Sequence, residues 1–396
     1  MTKLLPESPS HLSIVKALYF NGTISCSDIS KITGASIPNV SKNLYELIDE
    51  GFVIEKGFAE SKGGRKPLMY SLVAGKFYIV SVAMDQFSTR IAIVDVNNSF
   101  VKDVECFDFN LYDVNTSADY LIEKINDFID NSGISKKEIY GIGIAMPGFF
   151  DISTGTNKTF LKNDGKSLRD YISEFTGVPT FIDNDSSAIA LAELKFGVGR
   201  TKKEIMVINI GWGIGLGMIV NGKIFRGFSG FAGEFSHIPL FKNGRICSCG
   251  KRGCLETEVS LVIIEQKAQK AISTGEYSTI TANENGKVTI SSILAEANKG
   301  DHLAIKLISE AGYYIGQGIA VLIHIMNPQS IVLSGKGSEA GKVWLAPIQQ
   351  ALNELCIPAL LNSTEVILSP LGSNAQLIGA AALVVDNVDK LIFATQ

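Results

Sequence analysis

Between Phe231 and Glu256 the chain reads FAGEFSHIPLFKNGRICSCGKRGCLE, one histidine, three cysteines and two acids in a short stretch punctuated by glycine. His237, Cys247, Cys249 and Cys254 offer one imidazole nitrogen and three thiolates, the donor set of a closed, tetrahedral structural Zn2+ site. Gly244, Gly250 and Gly253 let the backbone turn sharply enough to aim three sulfurs at one point. The alternatives are loop thiols that share no ligand, or a disulfide, the rarer fate in a cytosolic chain. Glu234 and Glu256 bracket the cluster and are not required by a metal, so they are free to serve a second ligand.

More acids lie upstream. Phe181-Ile182-Asp183-Asn184-Asp185 reads as a strand ending in carboxylates, followed at once by a helix over residues 186–196. Open α/β sheets bind ligands beyond the carboxyl ends of their strands, where Asp185 could act as a base toward a hydroxyl group. Capping of the helix would explain one of these residues but not the whole Asp-Asn-Asp cluster. Beyond a strand at residues 205–210, Gly211-Trp212-Gly213-Ile214-Gly215-Leu216-Gly217 places glycine at alternate positions. This strips one face of a hairpin and would let an anion or sugar reach the backbone, although such patterns also serve as plain sheet corners. Trp212 is bulky where a phosphate pocket would want a small hydroxyl residue.

These residues need a scaffold. A chain of 396 residues exceeds one ordinary core, so two or three domains are expected. With 46% hydrophobic and 19% charged residues, neither disorder nor a membrane class is indicated. The longest apolar runs, such as residues 318–326, reach about half of the roughly 20 residues that a membrane-spanning helix requires. The N-terminus lacks the pattern of a signal peptide, so the reading is a cytoplasmic protein with reduced cysteines and no membrane partner. The net charge of -4 gives no global attraction to nucleic acid, so DNA binding must be local. From residue 76 onward strands alternate with amphipathic helices, the pattern of an α/β protein with helices covering its sheets.

The first 75 residues differ. Residues 11–20 read as a helix, Ser27 caps a short second helix ending at Gly34, and Ser36 caps a third. In the third, Val40, Leu44, Leu47 and Ile48 form a buried stripe, which leaves Asn39, Lys42 and Asn43 on the other face. Two helices joined by a tight turn match the helix-turn-helix pattern, with the later one as recognition helix. A strand at residues 52–54 then leads into Lys62-Gly63-Gly64-Arg65-Lys66-Pro67 and the alternating strand at residues 68–72, a hairpin with a basic tip like the wing of a winged helix. The alternative is a helical bundle with a solvated loop, since eight Lys or Arg face seven Asp or Glu in residues 1–75. DNA binding is favoured because polar residues sit where bases would be read and positive charge gathers in the wing. Ser36, Asn39, Lys42, Asn43, Gly64 and Arg65 are the expected contacts.

With these residues in view the chain resembles the ROK family of repressors, open reading frames and kinases, in its regulator branch of xylose and N-acetylglucosamine repressors. Met146-Pro147-Gly148, Asn184-Asp185, the run from Ala232 to His237 and the run from Cys247 to Glu256 match family motifs in order, and the resemblance covers essentially the whole chain. It implies a winged helix-turn-helix domain (residues 1–75) followed by a two-lobed, actin-like ATPase fold of the sugar-kinase type (residues 76–396), with a cleft between the lobes. It also implies that Asn184, Asp185, Glu234, His237 and Glu256 hold sugar hydroxyls, with His237 giving one ring nitrogen to zinc and the other to the sugar. A sugar contact near Asn163 is a further expectation. Asp185 corresponds to the catalytic base of the family's kinases. Those kinases carry Asp-x-Gly-Gly-Thr for phosphate and magnesium; aligning on Asp95 puts Ala83-Met84-Asp85-Gln86-Phe87 there, without the acid or either glycine. Aligning on Asp85 keeps an acid and shifts the loop by two residues. Phosphoryl transfer relies on positioning and electrostatics, so losing this loop argues against it. The expectation is a sugar-controlled regulator that is not an enzyme, with Asp185 a vestigial base, acting as a homodimer or tetramer on a double-stranded operator. The other readings are an ATP-dependent hexose kinase carrying a DNA-binding domain, and a DNA-binding scaffold without a ligand.

Overall fold

The computed structural model describes residues 6, 8–59, 66–113, 117–162 and 166–389. They fall into two compact units, Met1–Asn184 with Leu377–Gln396, and Asp185–Gln376.

The first unit opens with α1 (Pro9–Asn21), β1 (Ile24–Ser25), α2 (Cys26–Thr33), α3 (Ile37–Asp49), β2 (Val53–Phe58) and β3 (Leu68–Leu72), the strands pairing antiparallel in the order β1-β3-β2. The cap of α2 is Ser25, two residues before the expected Ser27. Its hydroxyl accepts from the Asp28 N–H at 3.2 Å while Asp28 accepts from the Ser25 N–H at 3.3 Å, a reciprocal pair that fixes where the helix begins. Gly34 ends α2 in the left-handed region, at φ 72°. In α3 the buried stripe is Val40, Asn43, Leu44 and Leu47. This corrects the expected outward position of Asn43, which is only 6% exposed. Residues 40, 43, 44 and 47 follow the i, i+3, i+4, i+7 spacing of one helix face, so position 43 falls inside the stripe whatever its polarity. Ser36, Asn39 and Lys42 are exposed as expected. Gly64 and Arg65 lie outside the described residues.

α1 is anchored to the rest of this unit. Tyr19 is buried and donates its hydroxyl hydrogen to Asn98 Oδ1, and Lys16 Nζ donates to the Asp386 carbonyl at 2.8 Å and pairs with Asp389. The unit continues with β4 (Tyr78–Met84), β5 (Ser88–Val94), β6 (Glu105–Asp108), α4 (Ala118–Asp130), β7 (Ile139–Met146), the short pair β8 (Phe150–Asp151) and β9 (Thr156–Asn157), α5 (Leu168–Thr176) and β10 (Thr180–Asn184). Its five-stranded sheet has the order β10-β7-β4-β5-β6, with β4, β7 and β10 parallel and the β5-β6 edge antiparallel. All eight residues of β7 are buried, as an unbroken apolar run in a covered parallel sheet requires.

The second unit contains α6 (Asp185–Phe196), β11 (Ile205–Ile210), β12 (Ile214–Val220), β13 (Lys223–Phe225), α7 (Glu256–Val259), α8 (Leu261–Ser273), α9 (Ile290–Lys299), α10 (His302–Met326), β14 (Ser330–Ser334), α11 (Lys342–Leu355), α12 (Pro358–Leu361) and β15 (Glu365–Leu368). Its sheet, β13-β12-β11-β14-β15, repeats the connectivity of the first: a central strand, an antiparallel hairpin on one side and two parallel strands on the other. The largest core joins this sheet to α8, α9, α10 and α11, with Trp344 fully buried in it. Gly312 and Gly316 of α10 face Pro347 and Ala351 of α11, so these glycines serve close helix packing. α13 (Ala375–Asp386) then carries the chain back into the first unit.

Candidate metal and ligand site

In the second unit one short helical turn and one hairpin bring the cluster together. His237 closes a 3-10 turn, Phe235–His237, whose Phe235 ring fits with Leu255 against Gly318 of α10. Cys247, Cys249 and Cys254 lie on a tight hairpin, where the Cys247 N–H donates to the Lys251 carbonyl at 2.7 Å and the Gly250 N–H to the Cys247 carbonyl at 2.9 Å. The hairpin folds back on the 3-10 turn through the Leu255 N–H, which donates to the Ile238 carbonyl at 3.0 Å.

The result is four donor atoms within 4.8 Å of one another. Cys249 Sγ lies 3.6 Å from Cys254 Sγ, and Cys247 Sγ lies 3.6 Å from His237 Nδ1. A zinc tetrahedron with bonds of about 2.3 Å to sulfur has edges of about 3.8 Å, so the spacing and the donor types both fit that ion. The thiols also need a cation. Burial, with the neighbouring sulfurs, pushes the Cys254 thiol up to about 12, whereas the Lys251 N–H holds the Cys249 thiol below its usual range. Three thiolates this close repel one another unless positive charge sits between them. No disulfide joins any of the described cysteines.

The other side of His237 meets the acids. Nε2 lies 3.8 Å from Glu234 Oε2, so Nδ1 is the nitrogen that faces the sulfurs and Nε2 the one left for another partner. Partial burial is the main reason that the Glu234 carboxyl sits above the usual range; His237 opposes the shift, while Glu256 and Asp185 add to it. Glu256 opens α7 directly after the last cysteine of the cluster, and Asp185 opens α6. Asp185, Glu234 and Glu256 thus share a field with the open nitrogen of His237, an array of acceptors suited to hydroxyl donors. Asn184 stands in the first unit, at the end of β10, where its Nδ2 donates to the Gly148 carbonyl at 3.3 Å. Asn163 lies outside the described residues.

Asn209 is a site residue that the sequence reading passed over. Its Nδ2 donates to Asp185 Oδ2 at 3.1 Å and to Ser186 Oγ at 3.3 Å, fixing the carboxylate that opens α6. The available signal was an amide inside the apolar strand IMVINI. The glycine-rich hairpin behaves differently from one of its expected roles. A Cβ on Gly215 would stand 1.9 Å from Ser186 Oγ, and one on Gly217 2.4 Å from the Ser186 carbonyl oxygen, so these glycines admit α6 rather than an anion. In the first unit the turn between β4 and β5 is closed by its own acid. Asp85 Oδ1 accepts from the Phe87 and Ser88 N–H groups, both at 2.7 Å, and Oδ2 accepts from the Ser88 hydroxyl at 2.7 Å. Amides that could face a phosphate are already turned onto a carboxylate.

Two α/β units of matching connectivity, with a cysteine-histidine cluster behind an acid-lined face, define a sugar-kinase-like architecture. The chain belongs to the ROK family, whose pattern matches residues 82–387. It is 29% identical over 385 residues to the xylose repressor of Caldicellulosiruptor bescii, covering 95% of each chain. It is 30% identical over 365 residues to the DNA-binding transcriptional dual regulator NagC of Escherichia coli K12, covering 92% of this chain and 89% of that one. Among solved structures it is similar to a ROK family transcriptional regulator described as a homolog of the E. coli MLC protein, with a TM-score of 0.77, 26% identity and coverage of 97% and 98%. Among the described residues no helix is long and apolar enough to cross a membrane.

Proposed function

We propose that this protein is a DNA-binding transcriptional regulator, a repressor of carbohydrate-metabolism genes, controlled by a sugar or sugar derivative. The observation that carries the reading is a cluster of four metal-donor atoms whose His237 turns its outer nitrogen to Glu234, within electrostatic reach of Asp185 and Glu256, in a chain similar along its whole length to repressors. Residues 1–75 form the winged helix-turn-helix and residues 76–396 the sugar-binding domain. Asn184, Asp185, Glu234, His237 and Glu256 receive the sugar hydroxyls. Zinc, held by His237, Cys247, Cys249 and Cys254, supplies the charge that lets three thiolates coexist and fixes the ring of His237. The chain acts as a cytoplasmic homodimer on a roughly two-fold operator.

Catalysis is not part of this reading. The Asp85 carboxylate takes up the N–H groups of the β4-β5 turn, which the resemblance to the family's kinases aligns with their phosphate loop, and on this reading Asp185 serves as a ligand rather than a base. The competing reading, an ATP-dependent hexose kinase, is favoured by the presence of Asp185 and by the likeness of the fold to a ROK family glucokinase. ATP turnover with magnesium and mixed sugars separates the two, and sugar-dependent turnover would establish the kinase. The regulator reading is tested by operator affinity with and without a panel of sugars. The effect can be no larger than the sugar's differential affinity for the two states, and absence of operator binding at low salt would refute it.

A further inference from the structure

The exposed face of α3 is not simply polar. Ile37 is 53% exposed and Tyr45 61% exposed, and with the half-exposed Ser41 they fall at i, i+4 and i+8, one stripe along the helix. Lys42 lies beside that stripe on the outer face, and Asn39, two residues from Ile37, stands farther round the helix. Two large apolar side chains held in water on a helix that also bears an amide and a cation indicate a partner with both apolar and polar groups.

Charge decides which part of the face a polyanion can approach. The first turn of α3 carries no acid. The acids come late: Glu46, paired with His11 at 2.9 Å and 3.8 Å from Lys42, and then the exposed Asp49 and Glu50. A duplex would therefore meet the helix from Ile37 as far as Tyr45 and be repelled from the turn beyond it. Along that stretch the stripe and its flank present Ile37, Ser41, Lys42 and Tyr45. In the major groove the apolar feature is the 5-methyl group of thymine.

Resting on the regulator reading above, we propose that Ile37 and Tyr45 are sequence-reading residues that pack on thymine methyl groups of duplex DNA. Eight residues of helix span about 12 Å, so the two methyl contacts fall roughly three to four base pairs apart. Each half-site then carries A·T pairs at both ends of that interval. Tyr45 touches the base through its ring, so its hydroxyl group is not needed for the preference.

The test uses the full-length protein and an operator selected from random duplexes at low salt. Each thymine in the selected site is replaced singly by deoxyuridine, which removes only the methyl group. One thymine facing each side chain should lose about fourfold in affinity, the worth of one buried methyl group. Ile37→Ala should abolish the sensitivity at one position and Tyr45→Ala at the other, while Tyr45→Phe keeps it. Both side chains are exposed, so neither change removes core packing. A flat deoxyuridine scan, or an unchanged pattern in both alanine variants, overturns the proposal. So does a change of oligomeric state in those variants with base preference intact, since the stripe would then be a protein contact. If the wild-type protein selects no sequence at all, the regulator reading fails and this proposal falls with it, an outcome separable from a sequence-selective protein that ignores the methyl groups.

Discussion

Gly250 and Gly253 occupy the same cysteine-bearing hairpin with nearly the same φ, 82° and 78°, and they should respond very differently to a methyl group. At Gly250 an added Cβ meets nothing within 4 Å. Gly250→Ala therefore bears only the left-handed cost for an L-residue, about 1–2 kcal/mol. At Gly253 the Cβ would stand 1.8 Å from the Phe241 carbonyl oxygen. The backbone cannot retreat, because the Gly253 N–H donates to Arg245 at 2.9 Å and its carbonyl accepts from Phe241 at 3.1 Å. Gly253→Ala should add an overpacking cost of about 1–3 kcal/mol, next to the fully buried Cys254, one of the four proposed zinc ligands. The extra cost appears as a zinc dissociation constant roughly five- to 150-fold weaker than that of Gly250→Ala. Competition with a chromophoric chelator measures both constants, and the sugar response of operator binding should weaken in the same order. Equal zinc affinities in the two variants would refute the argument that this close backbone approach builds the site.

Asn209→Leu removes the amide that orients Asp185, at a cost of about 1 kcal/mol, so sugar affinity by calorimetry should fall roughly fivefold while zinc content stays unchanged. Glu193 is fully buried, with Ser369 and the Val198 N–H as donors, and burial holds its carboxyl above the usual range. The unfolded chain gives up that proton near pH 4.3, so its stabilising contribution is complete below about that pH and is lost as pH rises through the folded-state value. Thermal unfolding followed upward from about pH 4 should show the wild type losing ground to Glu193→Gln; parallel curves would contradict this. Tyr19→Phe removes the buried hydroxyl that α1 gives to Asn98, and a loss of about 1 kcal/mol should speed hydrogen exchange in α1 by roughly fivefold if that bond anchors the helix.

Much of the architecture is legible because period and punctuation are local properties. The α/β alternation, the left-handed Gly34 and the buried stripe of α3 follow from spacing alone, and the metal cluster is visible because three cysteines and a histidine share one short segment. Errors arose where neighbouring signals compete. Ser25 and Ser27 are equally good caps by type, and only the reciprocal bond with Asp28 chooses between them. Asn43 looks like a surface residue by polarity, yet the helical angle it shares with Val40 and Leu47 buries it.

By itself the sequence determined the kinds of atoms available: one imidazole and three thiols able to hold a metal, a row of acids and a basic run from Lys62 to Lys66. Only the tertiary structure decided which atoms face which. It turned Nδ1 of His237 toward sulfur and Nε2 toward Glu234, drew Asn209 onto Asp185 across 24 residues of chain, and spent the alternate glycines of β12 on the approach of α6. The physical reason is that donor type is a property of one residue, whereas orientation and close approach are set by packing between segments distant in sequence.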